Sequence, residues 1–479
     1  MATRASQRWG GQSLVIAATL AILVIVVGYR FSGVLQDTEM ALRYPFSLDY
    51  GEGIVWQQTL LMFGPRMYSP TVDLPFIVFH YPPLFHTVVR TLMALGWDPL
   101  FSGRLVSVAA SVISAFLIGA LITLGTRGPR TASMVVIAVT MAILFLCLNP
   151  VRVWGVFMRV DMLAIALGLA GTIVLIRSRC SLIGTTFALL FCVSSVFTKQ
   201  TQISAGISVF IVAMISAPRI ATLAAAIAAS IGIAFAAMLE WVTGGFLKNI
   251  IIYNINPFNI GDGLHKIWLE RDLAPYVLLM VVALAQIAWR TFRRAGFAEL
   301  RRNDRSAMTS ALLVIHFLLA AVSTLQIFKD GSSNNYFIDF LAIGCALVGI
   351  ALCSFPMKTM NLMIAVALIA LSTANLRSRF FLPAKLAQAL TGFDPLVQKI
   401  KAADRPVISD DMVLVLRAGK SLIYEPAIVR VLIAQGKWDP APLLTMIRDH
   451  KFAFALTYTS GGESGPLVTQ AIQTAYPFT

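Results

Sequence analysis

Charged residues are scarce in this chain: they make up 13% of its 479 residues, against 58% hydrophobic residues and a mean hydropathy of +0.78. A soluble protein carries about 25% charged residues, so the composition excludes a soluble globular fold. Cysteine is scarce too, with five in the chain and no CxxC pair. All five lie in apolar runs, which predicts small core residues and neither a disulfide framework nor a zinc site.

Long apolar runs fill most of the chain, and many are long enough to cross a bilayer. The first, from Leu14 to Tyr29, follows Arg4 and Arg8 and precedes no small-residue cleavage site, which indicates an uncleaved span. Ten further spans are predicted near 99–124, 131–148, 161–176, 182–198, 202–217, 220–241, 273–289, 307–328, 336–355 and 359–375. The fold class is therefore a polytopic α-helical membrane protein with about eleven transmembrane helices in residues 1–379.

The net charge of +15 is unevenly placed. If the N-terminus is cytoplasmic, the cytoplasmic segments hold fourteen cations and only two acids, Glu299 and Asp304, a net charge of +12. The cations are Arg4, Arg8, Arg127, Arg130, Arg177, Arg179, Arg219, Arg290, Arg293, Arg294, Arg301, Arg302, Arg305 and Lys358. This asymmetry follows the positive-inside rule and predicts an external C-terminus. The excess of basic residues thus reflects the membrane topology, and no nucleic-acid partner is predicted.

The first external loop, predicted at 30–98, contains the stretch Ser47-Leu48-Asp49-Tyr50-Gly51-Glu52-Gly53. A carboxylate at the edge of a low-dielectric region can act as a base, and glycines let the backbone approach a substrate closely. An amphipathic segment follows from Ile54 to Phe63, and Pro82 and Pro83 precede a second short helix that ends near Gly96. Both pieces are too short to span, so we expect them along the membrane interface.

Several polar residues of the external loops allow two interpretations each. Lys199 lies in a very short turn between spans, where a lone charge needs a partner or ligand unless its ammonium snorkels to water. Arg159 and Asp161 fit either an ion pair with each other or roles in a site. The spacing of His80 and His86 matches no standard metal site, so no metal is predicted.

Residues 380–479 have a different character and predict a small external α/β domain. Strand-like segments at Pro406–Ser409 and Ser421–Tyr424 flank a helix that Asp410 would cap and Gly419 would stop. Helices are expected near 427–435 and 441–450, followed by a strand at Phe452–Thr457.

The external face carries the groups that transfer of a sugar from a lipid phosphate requires: a base, cations for the phosphate, and polar groups for the sugar. Asp49 and Glu52 are candidates for the base. Arg159, Lys199, Lys329 and Arg152 are candidates for the phosphate. Polar residues from the same loops are candidates for substrate binding: Tyr50, His80, Tyr81, Gln200, Asn335 and Tyr336.

These motifs, in this order and on one face, resemble those of the GT-C superfamily of membrane glycosyltransferases. The similar stretches are Asp49-Tyr50-Gly51-Glu52-Gly53, Tyr81-Pro82-Pro83-Leu84, Arg159-Val160-Asp161, Lys199-Gln200-Thr201 and Gly331…Asn335-Tyr336. The suggested relatives are bacterial lipid A aminoarabinose transferases, protein O-mannosyltransferases and rhizobial core-sugar transferases. Many relatives have adjacent first-loop acids, whereas Tyr50 and Gly51 separate them here, and Asp339 stands where a glutamate is expected.

The resemblance implies a polyprenyl-phosphate sugar donor, a cell-envelope glycan or lipid acceptor, and inverting transfer at the external face of a bacterial cytoplasmic membrane. It makes Asp49 or Glu52 the base, Lys199 a phosphate contact and Asp161 a second-loop acid that positions the acceptor or the base. No cofactor is predicted, since the lipid-phosphate sugar donor is a substrate, and dependence on a divalent metal stays open.

Two other functions fit a polytopic membrane protein. A secondary transporter or lipid flippase usually has inverted repeats and ionisable groups near the bilayer midplane. Here only His316 is predicted near mid-membrane, where we interpret it as a core contact. A non-catalytic envelope-assembly protein would tolerate neutralisation of Asp49 and Glu52.

Overall fold

The computed structural model describes residues 2–128, 131–354, 359–374, 381, 383–458 and 463–477. Arg130, Lys358 and the predicted domain boundary at 379 lie outside these ranges, as do the side chains of Arg4, Arg8, Arg293 and Arg294. The α-helices are α1 (Ala2–Arg43), α2 (Tyr50–Leu61), α3 (Pro83–Ala94), α4 (Pro99–Gly125), α5 (Ala132–Cys147), α6 (Asn149–Trp154), α7 (Asp161–Ser178), α8 (Leu182–Val196), α9 (Ser204–Ser216), α10 (Pro218–Thr243), α11 (Phe246–Ile250), α12 (Ile260–Leu269), α13 (Ala274–Trp289), α14 (Gly296–Arg301), α15 (Arg305–Ser323), α16 (Ile338–Ser354), α17 (Thr359–Ala374), α18 (Pro383–Ala402), α19 (Met412–Arg417), α20 (Pro426–Ala434), α21 (Ala441–Arg448) and α22 (Pro466–Ala475).

Shorter elements connect these helices. Single turns of 3-10 helix lie at Ile252–Asn254, Arg271–Leu273, Thr324–Phe328 and Asn334–Phe337, and a π-helix follows α13 at Arg290–Ala295. Two strands, β1 (Ile408–Ser409) and β2 (Ala455–Leu456), pair in parallel.

Each of the eleven predicted spans is a helix: α1, α4, α5, α7, α8, α9, α10, α13, α15, α16 and α17. In the described ranges, seven helices are long and apolar enough to cross a membrane. The others, α5, α8, α9 and α17, are apolar helices of 13 to 16 residues. The chain is a multi-pass helical membrane protein, as the sequence predicts.

The first span is longer than predicted. The apolar run ends at Tyr29, but α1 continues to Arg43, so the first loop begins at residue 44 and not at 30. Hydropathy falls after Tyr29 while helix-forming residues continue, and Pro45 then blocks further helix. Asp37 in this extension is buried and pairs with Arg152, with 2.6 Å between Nη2 and Oδ2. Arg152 therefore serves the packing of α1 against α6.

The first loop contains two helices, as predicted, although the first starts earlier than Ile54. Asp49 caps α2, because its side chain accepts a hydrogen bond from the Gly51 N–H, and the helix therefore begins at Tyr50. Most of α2 is buried, and α3 starts at Pro83, where the missing N–H costs no helical hydrogen bond.

The C-terminal segment from α18 onward packs on this first loop. Met412 and Val413 of α19 share a core with Val55 and Trp56 of α2, and Arg417 pairs with Asp98 at the start of α4. Gly53 permits this close packing, since a Cβ there would lie 2.8 Å from the Met412 Cβ.

Two details of the C-terminal segment differ from expectation. Asp411, and not Asp410, caps α19 by accepting the Val413 N–H at 3.0 Å. Asp410 instead accepts the N–H groups of Tyr458 and Glu463. The segment Ser421–Tyr424 is not a strand of the sheet, because Tyr424 pairs through one isolated bridge with Phe76 of the first loop.

Candidate active site

A cavity of about 350 Å³ lies where the first loop, the turns between spans and the C-terminal segment meet. The basic loops, in which Arg127 pairs with Glu299 and Asp304, lie at the other end of the spans. Nine of the thirteen site residues predicted from the sequence line the cavity: Asp49, Tyr50, His80, Tyr81, Arg159, Lys199, Gln200, Lys329 and Tyr336. Asp161 and Asn335 lie directly behind Lys199, Glu52 is a buried residue of α2, and Arg152 pairs with Asp37 away from the cavity lining.

Asp49 offers a carboxylate at the cavity wall. Its Oδ2 accepts the Gly51 N–H at 2.9 Å and lies 3.3 Å from Nη1 of Arg159, and its side chain remains 24% exposed. Burial raises the pKa of Asp49 above its ordinary value, and the Arg159 guanidinium offsets only part of this rise. A carboxyl group with a raised pKa accepts a proton more readily than an ordinary carboxylate, as a general base must.

Arg159 has several partners in the cavity wall. Its Nη2 donates to the Tyr81 hydroxyl at 3.2 Å, and its guanidinium lies 5.0 Å from the centre of the Trp154 ring. Burial opposes its charge, but Tyr81 and Asp49 outweigh this effect and raise its pKa. Gly51 is required for this arrangement, because a Cβ there would lie 1.3 Å from Nη1 of Arg159. Arg159 does not pair with Asp161, the alternative that the sequence left open.

Lys199 pairs with Asp161. Its Nζ lies 2.5 Å from Oδ1 of Asp161 and 4.4 Å from the centre of the Tyr336 ring, and Asn335 donates to the same Oδ1 at 2.8 Å. Burial opposes the charge of Lys199, but Asp161 outweighs it and raises the lysine pKa. The side chain is 7% exposed, so the lysine does not simply snorkel to water.

Lys329 is a further cation of the cavity wall. Burial lowers its pKa, and the charge of Lys199 lowers it further. Among the residues that the structure describes, its ammonium has no ion-pair or hydrogen-bond partner. A half-buried cation repelled by a neighbouring cation favours an anionic ligand in the cavity.

Glu52 occupies a different environment from Asp49. Its carboxylate and the Arg104 guanidinium are both fully buried and joined by two bonds, 2.8 Å from Nε to Oε1 and 2.7 Å from Nη2 to Oε2. The N–H groups of Leu48 and Met158 also donate to this carboxylate, at 2.8 and 2.9 Å. Glu52 is thus saturated with donors and does not line the cavity.

Arg104 completes this buried cluster. Its remaining N–H groups donate to the carbonyls of Ala41, Tyr44 and Phe46, between 2.5 and 2.6 Å away. The cluster therefore joins the end of α1, the first loop, α4 and the segment before Arg159. Sequence reasoning missed Arg104, although an arginine inside an apolar span is itself a signal, because such a charge is costly without partners.

The C-terminal segment supplies a second group that the sequence did not reveal. Glu425 is buried, its Oε2 lies 2.9 Å from Nε2 of His80, and its Oε1 accepts hydrogen bonds from the Tyr50 hydroxyl and the Ile428 N–H. Arg430 and Glu463 of this segment also line the cavity. No motif marks these residues, so only their position in the fold identifies them.

Other predicted residues have structural partners. Gln200 donates to the carbonyl oxygen of His80 at 2.9 Å, which fixes the segment before α3. His316 contacts Asp339, with 3.1 Å between Nε2 and Oδ1, in agreement with a core contact. In the described part of the chain, no group of three His, Cys, Asp or Glu side chains forms a metal-binding cluster.

No protein-family model and no curated protein matches the chain. Two solved structures align with it, both of ArnT from Cupriavidus metallidurans. The structure bound to undecaprenyl phosphate aligns with a TM-score of 0.54 and 11% identity, over 93% of this chain and 92% of that chain. The apo structure aligns with a TM-score of 0.44 and 12% identity, over 95% and 94%. The chain therefore has the fold of ArnT along nearly its whole length.

Proposed function

We propose that this protein is a glycosyltransferase that moves a sugar from a polyprenyl-phosphate donor to an acceptor of the cell envelope, at the external face of a bacterial cytoplasmic membrane. One observation carries the proposal: a carboxylate with a raised pKa, Asp49, shares a cavity with Arg159, Lys199 and Lys329. A transporter fits less well, because these groups gather at one end of the spans and not near mid-membrane.

Asp49 is the general base in this reaction. It takes the proton of the acceptor hydroxyl as that oxygen attacks the anomeric carbon of the donor sugar. The bond between the anomeric carbon and the phosphate oxygen breaks, polyprenyl phosphate leaves, and the configuration inverts. Glu52 is unsuited to this role, because both of its oxygens are occupied by Arg104 and by backbone N–H groups. We assign it the positioning of the backbone beside Asp49 and Arg159.

The cations stabilise the departing phosphate. Lys329 has no protein counter-charge among the described residues, and Lys199 retains donors beyond the one used by Asp161. Preorganised cations in a site with little water stabilise a developing negative charge more than cations in solution do, and they need no reorganisation as that charge develops. The aligned structure of ArnT holds undecaprenyl phosphate, which supports the same class of lipid here.

The test starts with the substrate. Comparing lipid-linked sugars and surface glycans of cells with and without the gene identifies the donor that accumulates and the glycan that is lost. Purified Asp49→Asn should then lose transfer from that donor by about 10²- to 10⁴-fold while staying folded. Asp449→Asn, an exposed acid of the C-terminal segment, is the matched control and should retain full activity. Full activity of Asp49→Asn would refute the assignment.

A further inference from the structure

Helix α12 has an apolar face that no part of the described chain covers. Ile260, Leu264, Ile267 and Trp268 recur at the spacing of one helical face, and each side chain is between 40% and 70% exposed. In water such a face would be costly, and contiguous exposed apolar surface marks a site of interaction.

The opposite face of α12 contacts the rim of the cavity. Gly263 packs against the Phe328 ring, which a Cβ there would meet at 2.1 Å, and Nζ of Lys266 donates to the Ser332 hydroxyl at 3.2 Å. The N–H of Asn259, which caps α12, donates to the Phe328 carbonyl at 2.7 Å. The residue after Phe328 is Lys329, and both Lys329 and Ser332 line the cavity.

The surroundings of the apolar face indicate what covers it. The chain enters this loop from the span α10, whose last turns expose Trp241 and Val242, and it leaves into the span α13. Phe258, before α12, is also exposed. The exposed face therefore continues the lipid-facing surface of the two neighbouring spans. Trp268, with the Arg271 guanidinium 5.0 Å from its ring centre, has the character of a residue at the membrane–water interface.

We propose that α12 lies in the membrane leaflet on the cavity side, with its apolar face among lipid acyl chains and its other face holding the segment 328–332. With ten residues, it is too short to span and has the pattern of an interfacial helix. The helix thereby keeps Lys329 at the depth of lipid headgroups, where the phosphate of a lipid-linked donor would lie. This last consequence rests on the proposed function, whereas the placement of α12 does not.

Fluorescence quenching by brominated lipid tests the placement directly. The full-length protein, Trp268→Phe, Trp241→Phe and Trp438→Phe are each reconstituted in phosphatidylcholine vesicles with or without bromine on the acyl chains. The emission of one tryptophan is the difference between the intact protein and its variant. Trp241, near the end of a span, reports lipid contact, whereas Trp438, buried in the C-terminal segment, is the negative control.

We expect brominated lipid to reduce the emission of Trp268 by roughly half or more, as for Trp241, and to leave that of Trp438 unchanged. Emission of Trp268 that is insensitive to brominated lipid and strongly quenched by acrylamide, a quencher confined to water, would overturn the placement. Should Trp268→Phe fold poorly, Leu264→Trp gives the same comparison as an added emission on the same face. None of these measurements requires turnover, so a failed transfer assay leaves the result interpretable.

Discussion

Replacing Glu52 by glutamine should destabilise this protein far more than replacing Asp49 by asparagine, although both acids lie in one short motif. Glu52 and Arg104 are fully buried and joined by two hydrogen bonds, and each side chain is the counter-charge of the other. Glu52→Gln leaves the Arg104 guanidinium buried without a counter-charge. It also turns an amide NH₂ toward groups that are themselves donors, the N–H groups of Leu48 and Met158 or the guanidinium.

The size of this loss follows from the burial of the pair. Removing one partner of a buried ion pair costs about 3–5 kcal/mol, a large part of the roughly 5–15 kcal/mol by which a folded domain is stable. Asp49 differs, because its raised pKa shows that its charged form is already disfavoured by burial. Asparagine keeps the acceptor for the Gly51 N–H, and Arg159 keeps the Tyr81 hydroxyl and the Trp154 ring, so Asp49→Asn should destabilise the protein by only about 1 kcal/mol.

The assay measures two quantities on each purified variant: the midpoint of thermal unfolding in detergent and the rate of sugar transfer. Glu52→Gln should lower the midpoint strongly, whereas Asp49→Asn should keep it and lose the rate. Arg104→Lys, which keeps the charge but loses the two-pronged geometry, should be destabilised in the same direction as Glu52→Gln. A Glu52→Gln protein with unchanged thermal stability and no transfer would make Glu52 the base and refute this reasoning.

Three further predictions concern the cavity. The pKa of Asp49 is raised, so the acid limb of the pH profile of kcat/KM should lie above the ordinary value of about 4, and a limb at or below it would exclude this base. Gly51→Ala forces the Arg159 guanidinium aside, and transfer should fall by roughly 10²-fold. Gly28→Ala, where nothing lies within 4 Å of the added Cβ, should leave the rate unchanged. Lys329→Ala should weaken binding of undecaprenyl phosphate, measured by native mass spectrometry, by about tenfold to a hundredfold, and equal affinity would remove it from the site.

The same lysine predicts a pH dependence of ligand binding. Burial and the neighbouring Lys199 lower the pKa of Lys329, so its charge is lost at a lower pH than that of an ordinary lysine. Binding of a phosphate favours the charged form, so affinity should be full below this pKa and decline as the pH rises through it.

The spans were predictable because hydropathy is a local property of the chain. Every predicted span is a helix, and α3 begins at Pro83, the second of two prolines that prevent a helix before them. The end of α1 was not predictable from hydropathy, because Asp37 in its last turns is buried through a partner, Arg152, that is 115 residues away in sequence.

The sequence by itself determined the class of the protein, the positions of the helices in its membrane part and the types of residue that gather at one end of them. Tertiary structure alone decided which of two acids in one motif faces the cavity, because that depends on Arg104 and the Met158 N–H reaching Glu52 from distant segments. It also brought Glu425 to His80 across 345 residues. Hydropathy and net charge follow from the sequence alone. The pKa and the role of a carboxylate depend on neighbours that only folding brings within a few ångströms.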